Sequence, residues 1–393
     1  MKLSLRAAIA AVSIAYVAPL AANAEERVSI PSVVVTVENS APERGALLTP
    51  VWIGTHDGTF DIYDRNVPLG SGALVSRESV ERLAEDGNTG PISAEFSSTA
   101  VGTAQATLVG NAGPLPPQST VSTTLNLDPT VDRYFSYSSM VIPSNDAFIA
   151  NGNPLAHKVF DESGNFVAEN FVVAGSEVLD AGTEANDEIA ANTAFLNQGG
   201  PNIGVEEFEP VILHPGFLTE GVSFPDGVLS HPVFGNAQFT GPTYRAASFK
   251  FRFVDLGRAQ RYSGALSPDQ EVIGAAVQSD ASGDVFAVSR RGEVVAVRFV
   301  TRDLSGPAVM VHLHNAAAGA NGPVVVNLTN DLTASSRRGR SVITAADVVG
   351  PLAESADPLL SLLNEMAAGR IYMNVHTAAN PAGEVRGQLS LND

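Results

Sequence analysis

Two sets of residues in this chain have the types and spacing that chemistry needs. The first is His312-Leu313-His314, with His376 further along the sequence. Side chains alternate between the faces of an extended strand, so His312 and His314 share a face at a Cα separation of roughly 6.5 Å. Two imidazoles so placed, joined by a third from a neighbouring strand, suit zinc or copper. The second set is acidic: Asp146 in Pro143-Ser144-Asn145-Asp146, and Asp180 and Glu184 in Asp180-Ala181-Gly182-Thr183-Glu184. Loop carboxylates, supplemented by carbonyls and water, are what calcium requires. Asn145 and Asp187 stand nearby as further oxygen donors.

Each set also has a plainer reading. Loop acids commonly accept turn hydrogen bonds from their own backbone. The histidines can bond loop carbonyls and pin a sheet edge, and on the residues alone that structural role is the favoured one. His56 before Asp57, and His214 before Pro215-Gly216, are expected to stabilise turns or sit in the core, as is Trp52 between Val51 and Ile53. Arg337-Arg338-Gly339-Arg340 is a local basic cluster, expected on an exposed loop where it could meet an anionic glycan. There is no Gly-x-Ser-x-Gly elbow, His-Glu-x-x-His motif, P-loop or Gly-x-Gly-x-x-Gly turn, so no catalytic residue is assigned.

Composition narrows the setting. Lys2 and Arg6 precede an apolar run from Ala7 to Leu20, and Ala22-Asn23-Ala24 has the small-residue form of a secretory cleavage site. Residues 1–24 therefore read as a signal peptide, and no later stretch is long enough to span a membrane. Losing Lys2 and Arg6 takes the formal charge from −19 to −21, which argues against nucleic acid as a partner. With no cysteine, the exported chain must rely on core burial and cannot form thiolate metal sites.

The elements that must position these residues are short strands. Ser32–Val37, Ala104–Val109 and Ser119–Leu125 alternate between Gly, Pro, Asn and Asp punctuation, and Ala246–Val254 closes the first series. One helix is expected there, capped by Ser76, stapled by Val75 and Val80 and ended by Gly87. A second series runs through 271–277, 285–288, 293–300, 308–313, 322–328, 370–377 and 383–391. A late helix is expected from Asp357-Pro358 with Leu359, Leu362, Leu363 and Met366 on one face. In the His-x-His strand, Val309, Val311 and Leu313 are expected on the face opposite Met310, His312 and His314. The fold class is all-β: two β-sandwich domains over 29–256 and 263–391, joined by a linker at 257–262.

The first half resembles the spondin N-terminal domain through Thr36-Val37-Glu38-Asn39, Leu48-Thr49-Pro50-Val51, Thr55-His56-Asp57-Gly58, Leu83–Gly87, Ser139–Phe148 and Asp180–Glu184, all in order. That resemblance implies a C2-like sandwich of extracellular matrix proteins with a bound calcium ion, which Asp146, Asp180 and Glu184 would hold. The second half resembles a CHRD module, named for chordin, through His312-Leu313-His314, Asn321-Gly322-Pro323-Val324, Tyr372–Thr377 and Gly383–Leu389. It implies an extracellular Greek-key-like sandwich with one inserted helix. Together they point to a bacterial exported protein, in the periplasm, at the cell surface or secreted. The expected function is non-catalytic adhesion or ligand binding, with structural calcium and an extracellular protein or polysaccharide as partner. The alternative is a copper or zinc protein or metalloenzyme built on His312, His314 and His376.

Overall fold

The computed structural model describes residues 29–218, 227–274, 276–290, 292–329 and 337–392. The expected signal peptide and its cleavage site lie outside the described residues. No described helix is long and apolar enough to cross a membrane. Among the described residues strands dominate, with three short α-helices, and the strands form four antiparallel sheets.

The first half contributes β1 (Pro31–Asn39), β2 (Leu47–Leu48), β3 (Val51–His56), β4 (Ala104–Leu108), β5 (Thr120–Asn126) and β6 (Tyr134–Ile142). It continues with β7 (Ala147–Ala150), β8 (His157–Lys158), β9 (Phe171–Ala174), β10 (Leu179–Asp180), β11 (Ile212–Leu213) and β12 (Arg245–Asp255). One sheet runs β5-β1-β12-β9; the other runs β11-β10-β7-β6-β3-β4, with β2 and β8 also on β6. Their facing residues, including Val33, Val35, Ile53, Phe135, Ile149 and Phe249, form one apolar core. Alternation along β3 explains why every residue of that strand is buried: Val51 and Ile53 enter this core, while Trp52 points the other way. Trp52 packs there with Phe60, Leu83 and Phe96 beneath a helical layer, its indole N–H bonded to Gln105 Oε1 at 2.7 Å.

That layer holds α1 (Arg77–Asp86) and α2 (Gly90–Thr99). Ser76 caps α1 by accepting from the Ser79 N–H, and Gly87 closes it in the left-handed region at φ 64°. The sequence pattern anticipates α1 alone. α2 lacks a side-chain cap and buries only Ile92 and Phe96, so its periodic signal is faint and Pro91 in its first turn is the one cue.

The second half contributes β13 (Arg261–Leu266), β14 (Ser282–Arg290), β15 (Val294–Arg302), β16 (Ala308–Asn315), β17 (Val324–Asn327), β18 (Arg338–Ile343), β19 (Ile371–Thr377), β20 (Val385–Gln388) and β21 (Ser390–Leu391). A five-stranded sheet, β18-β15-β14-β13-β21, faces a four-stranded one, β17-β16-β19-β20. Three expectations are corrected here. The described residues of 271–277 form no strand: the Glu271 N–H goes to the Pro268 carbonyl in a turn, and the Val272 carbonyl accepts from the Asn321 amide. β13 begins at Arg261, inside the expected linker. Arg338 and Arg340 lie on a strand, not a loop, because their alternation with buried Gly339 and with Ile343 fits a half-exposed edge.

α3 (Pro358–Ala367) is capped by Asp357, which accepts from the Leu360 N–H at 3.0 Å, and buries Leu359, Leu362, Leu363 and Met366 in the second core. The same core takes in Val34, Val254 and Leu256 from the first half. Thr124 Oγ1 donates to the Asn364 carbonyl at 2.8 Å and Arg252 to that of Ala367 at 3.2 Å. α3 thus ties the two halves together.

Candidate metal centre

The histidines sit on the outward face of the four-stranded sheet. Antiparallel register sets His312 opposite Asn374, His314 opposite Tyr372 and Met310 opposite His376. Because opposed residues share a face, the three imidazoles converge, and one ligand nitrogen from each lies within 4.8 Å of the others. A bulge between Ala308 and Met310 shifts the register there. It turns Val309 out to solvent, against the alternation expected for it, while Val311 and Leu313 remain in the core.

Hydrogen bonding orients two of the rings. His314 Nδ1 lies 2.9 Å from the Gly322 carbonyl and His376 Nδ1 lies 3.1 Å from that of Pro381. A carbonyl only accepts, so each Nδ1 carries the proton and each Nε2 is left with its lone pair. Both Nε2 atoms are shielded from water and have no hydrogen-bond partner. The loop-carbonyl bonds expected of a purely structural histidine are present, but they use only one nitrogen of each ring. Burial lowers the pKa of His312 to about 4, aided by the charges His376 and His314 would carry, and burial also lowers those two. The cluster is neutral at pH 7, the form that binds metal.

The loop that supplies the Gly322 carbonyl is itself braced. Arg386, fully buried, stacks 3.5 Å above the Tyr372 ring, which stacks in turn on His314 at 4.9 Å. Its guanidinium donates to the carbonyls of Ala317 and Ala320 and to Asn321 Oδ1. The Gly322 N–H donates to Tyr372 Oη at 3.3 Å. A Cβ on Gly322 would meet the Asn315 carbonyl at 1.8 Å, so only glycine lets the loop lie this close to the strand. On the other side, Glu384 accepts from Ser279, Ser305 and Thr377, and these donations outweigh its burial and hold its pKa down.

Residues 262–389 match the family model of the CHRD domain. A CHRD domain is therefore found at residues 262–389. No curated protein and no solved structure matches the chain.

The stretches that carry the CHRD pattern are the ones that build the histidine face. Asn321-Gly322 is the braced loop, Tyr372–Thr377 is β19 and Gly383–Gln388 leads into β20. Sequence reading missed Glu271, whose carboxyl lies beside Asn374 at 3.3 Å in the CHRD domain. Burial raises its pKa to about 7 against the opposing pull of Asn374 and Arg386. The Val272-Ile273 pair that follows it suggested a strand, and nothing local marked it as facing His-bearing β19.

The acidic residues of the first half lie near one another, but among the described residues only the histidines bring three ligand atoms together as a metal-holding group. Asp146 Oδ2 accepts from the Thr183 N–H at 2.8 Å, the Glu184 N–H at 3.1 Å and the Thr183 hydroxyl at 3.2 Å. Asp180 uses one oxygen on the Gly182 N–H and the other on the Asn186 amide. Asp146 Oδ1 and Glu184 Oε2 are buried without a partner. Burial and the Asp180 charge raise the Asp146 pKa; burial, then Glu85 and Asp146, raise that of Glu184 to about 8. Glu85, on α1, is a neighbour that the sequence did not single out. Asn145 bonds Asp187 at 3.4 Å, and Asp187 accepts from Ile189 and Asn192. His56 and His214 each accept a backbone N–H two residues on, the turn role expected of them.

Proposed function

We propose that this chain is an exported, two-module protein whose CHRD domain binds one zinc or copper ion through His312, His314 and His376. The observation that carries the reading is the pair of buried, unpartnered Nε2 atoms whose Nδ1 atoms are tied to backbone carbonyls. That pattern fixes the tautomer a metal ligand needs. Zinc–nitrogen bonds of about 2.0–2.1 Å in a tetrahedral site set ligand nitrogens roughly 3.3 Å apart. Small side-chain rotations bring nitrogens within 4.8 Å of each other to that spacing. With three protein ligands, a fourth position remains for water or a partner's donor group, which suits ligand binding at the cell exterior. The test is elemental analysis and calorimetric titration with zinc and copper of protein prepared in chelator. A stoichiometry near one per chain supports the reading; absence of binding by both metals, or binding that survives in His376→Ala, overturns it.

A second reading rests on a separate observation, the unpartnered Asp146 Oδ1 and Glu184 Oε2. The order of motifs shared with spondin N-terminal domains over 29–256 supports structural calcium there, with Asp180 as neighbour. Calcium would neutralise carboxyls that burial now keeps from ionising. Thermal melting with excess calcium against chelator tests it: an unchanged midpoint removes calcium from the description and leaves the histidine site as it stands.

A further inference from the structure

The outer face of β13, β14, β15 and β18 gathers arginines from four of the five strands of this sheet. Register places Phe286, Arg298 and Arg340 in one row across three strands, and Arg261, Val288, Ala296 and Val342 in the next. Arg302, Arg338 and Arg290 lie in rows to either side. Opposed residues of a sheet share a face, and the even alternation of exposure along β14 and β15 puts this set on the outside. Six arginines thus occupy one face of a chain whose formal charge is −19. The single acid in these rows is Asp284, and Arg302 engages it at 3.0 Å. Among the described residues no carboxylate is paired with Arg261, Arg290, Arg298, Arg338 or Arg340. Between them lies an aliphatic floor, with Val342 57% exposed.

We propose that this face docks an acidic polysaccharide. Guanidinium forks match carboxylate and sulfate groups two bonds at a time, and a flat sheet repeats them at about 4.8 Å across strands and 6.6 Å along them. A stiff chain bearing a charge on each sugar meets such a grid with its ring C–H faces on the valines. Nucleic acid fits less well: the one aromatic in the rows, Phe286, is already covered by the Arg298 guanidinium at 4.7 Å and offers no platform for bases. The proposal is independent of the metal reading, since none of these side chains touches the histidine cluster.

The test uses the full chain in chelator, titrated with polygalacturonate, dextran sulfate and neutral dextran, and with duplex DNA as competitor. Binding to a charged polysaccharide and not to neutral dextran is expected, weakening steeply with salt. The exposed double variant Arg298→Ala/Arg340→Ala should lose at least tenfold in affinity with an unchanged circular dichroism spectrum. Lys158→Ala/Arg245→Ala, exposed but off this face, should bind as the parent does. The proposal is overturned if neither charged polysaccharide binds, if both double variants weaken equally, if DNA displaces the sugar at lower charge concentration, or if the chain instead self-associates through this face in low salt.

Discussion

At the scale of single residues, His314 and His376 each give Nδ1 to a backbone carbonyl and keep a buried Nε2 without a partner. Replacing His376 by alanine should abolish metal-dependent stabilisation while leaving the metal-free protein folded. At a metal concentration a hundred times Kd the parent gains about 2.7 kcal/mol, which differential scanning in chelator and in zinc will show. Gly322→Ala should weaken metal binding by about 10–100-fold without touching a ligand, because the displaced carbonyl no longer orients His314; calorimetry reads this directly. Buried titratable groups shape the pH profile from both sides. His56, His157, His214 and His312 are held near pKa 4, below the unfolded value of about 6.5. Their contribution is present above pH 6.5 and is lost as pH falls toward 4. Glu184 and Glu271 are raised to about 8 and about 7, so their folded forms retain protons that the unfolded chain has released. Stability from these two declines as pH rises from about 4 to 8. Glu184→Gln should therefore stabilise the fold at pH 8 in chelator by on the order of 1 kcal/mol, seen as a higher melting temperature, and change little at pH 4.

At the scale of elements, α3 carries both the second core and the junction with the first half. Leu362 is fully buried in that core, and Leu362→Ala should cost about 2–5 kcal/mol, measured by urea unfolding. This helix was legible in the sequence because its cap, its proline and its apolar stripe agree. Most of β1, β5, β12, β15 and β19 was legible for the same kind of reason, a clean two-residue period. What escaped notice depended on distant partners. β13 is polar at its start because Arg261 belongs to the outer face, and β18 read as a loop because three arginines hid the buried Gly339 and Ile343. The candidate ligands were legible from His-x-His spacing, but the tautomer-setting carbonyls of Gly322 and Pro381 were not. A backbone acceptor has no side-chain signature, and only the folded loop brings it within reach.

At the scale of the whole molecule, the chain is a pair of sandwiches in which one core borrows from the other. Val34, Val254 and Leu256 leave the first half to enter the second core. Trp52, the only tryptophan, reports on the first half, and zinc loaded at the proposed histidine site would report on the second. Their urea midpoints should coincide if this sharing couples the halves; separated midpoints would show that the halves unfold independently. The short polar stretch between β12 and β13 consequently works as a seam and not as a swivel. Severing the chain there would leave two greasy stumps, so pieces made at that point are expected to clump unless the borrowed side chains travel with the C-terminal piece.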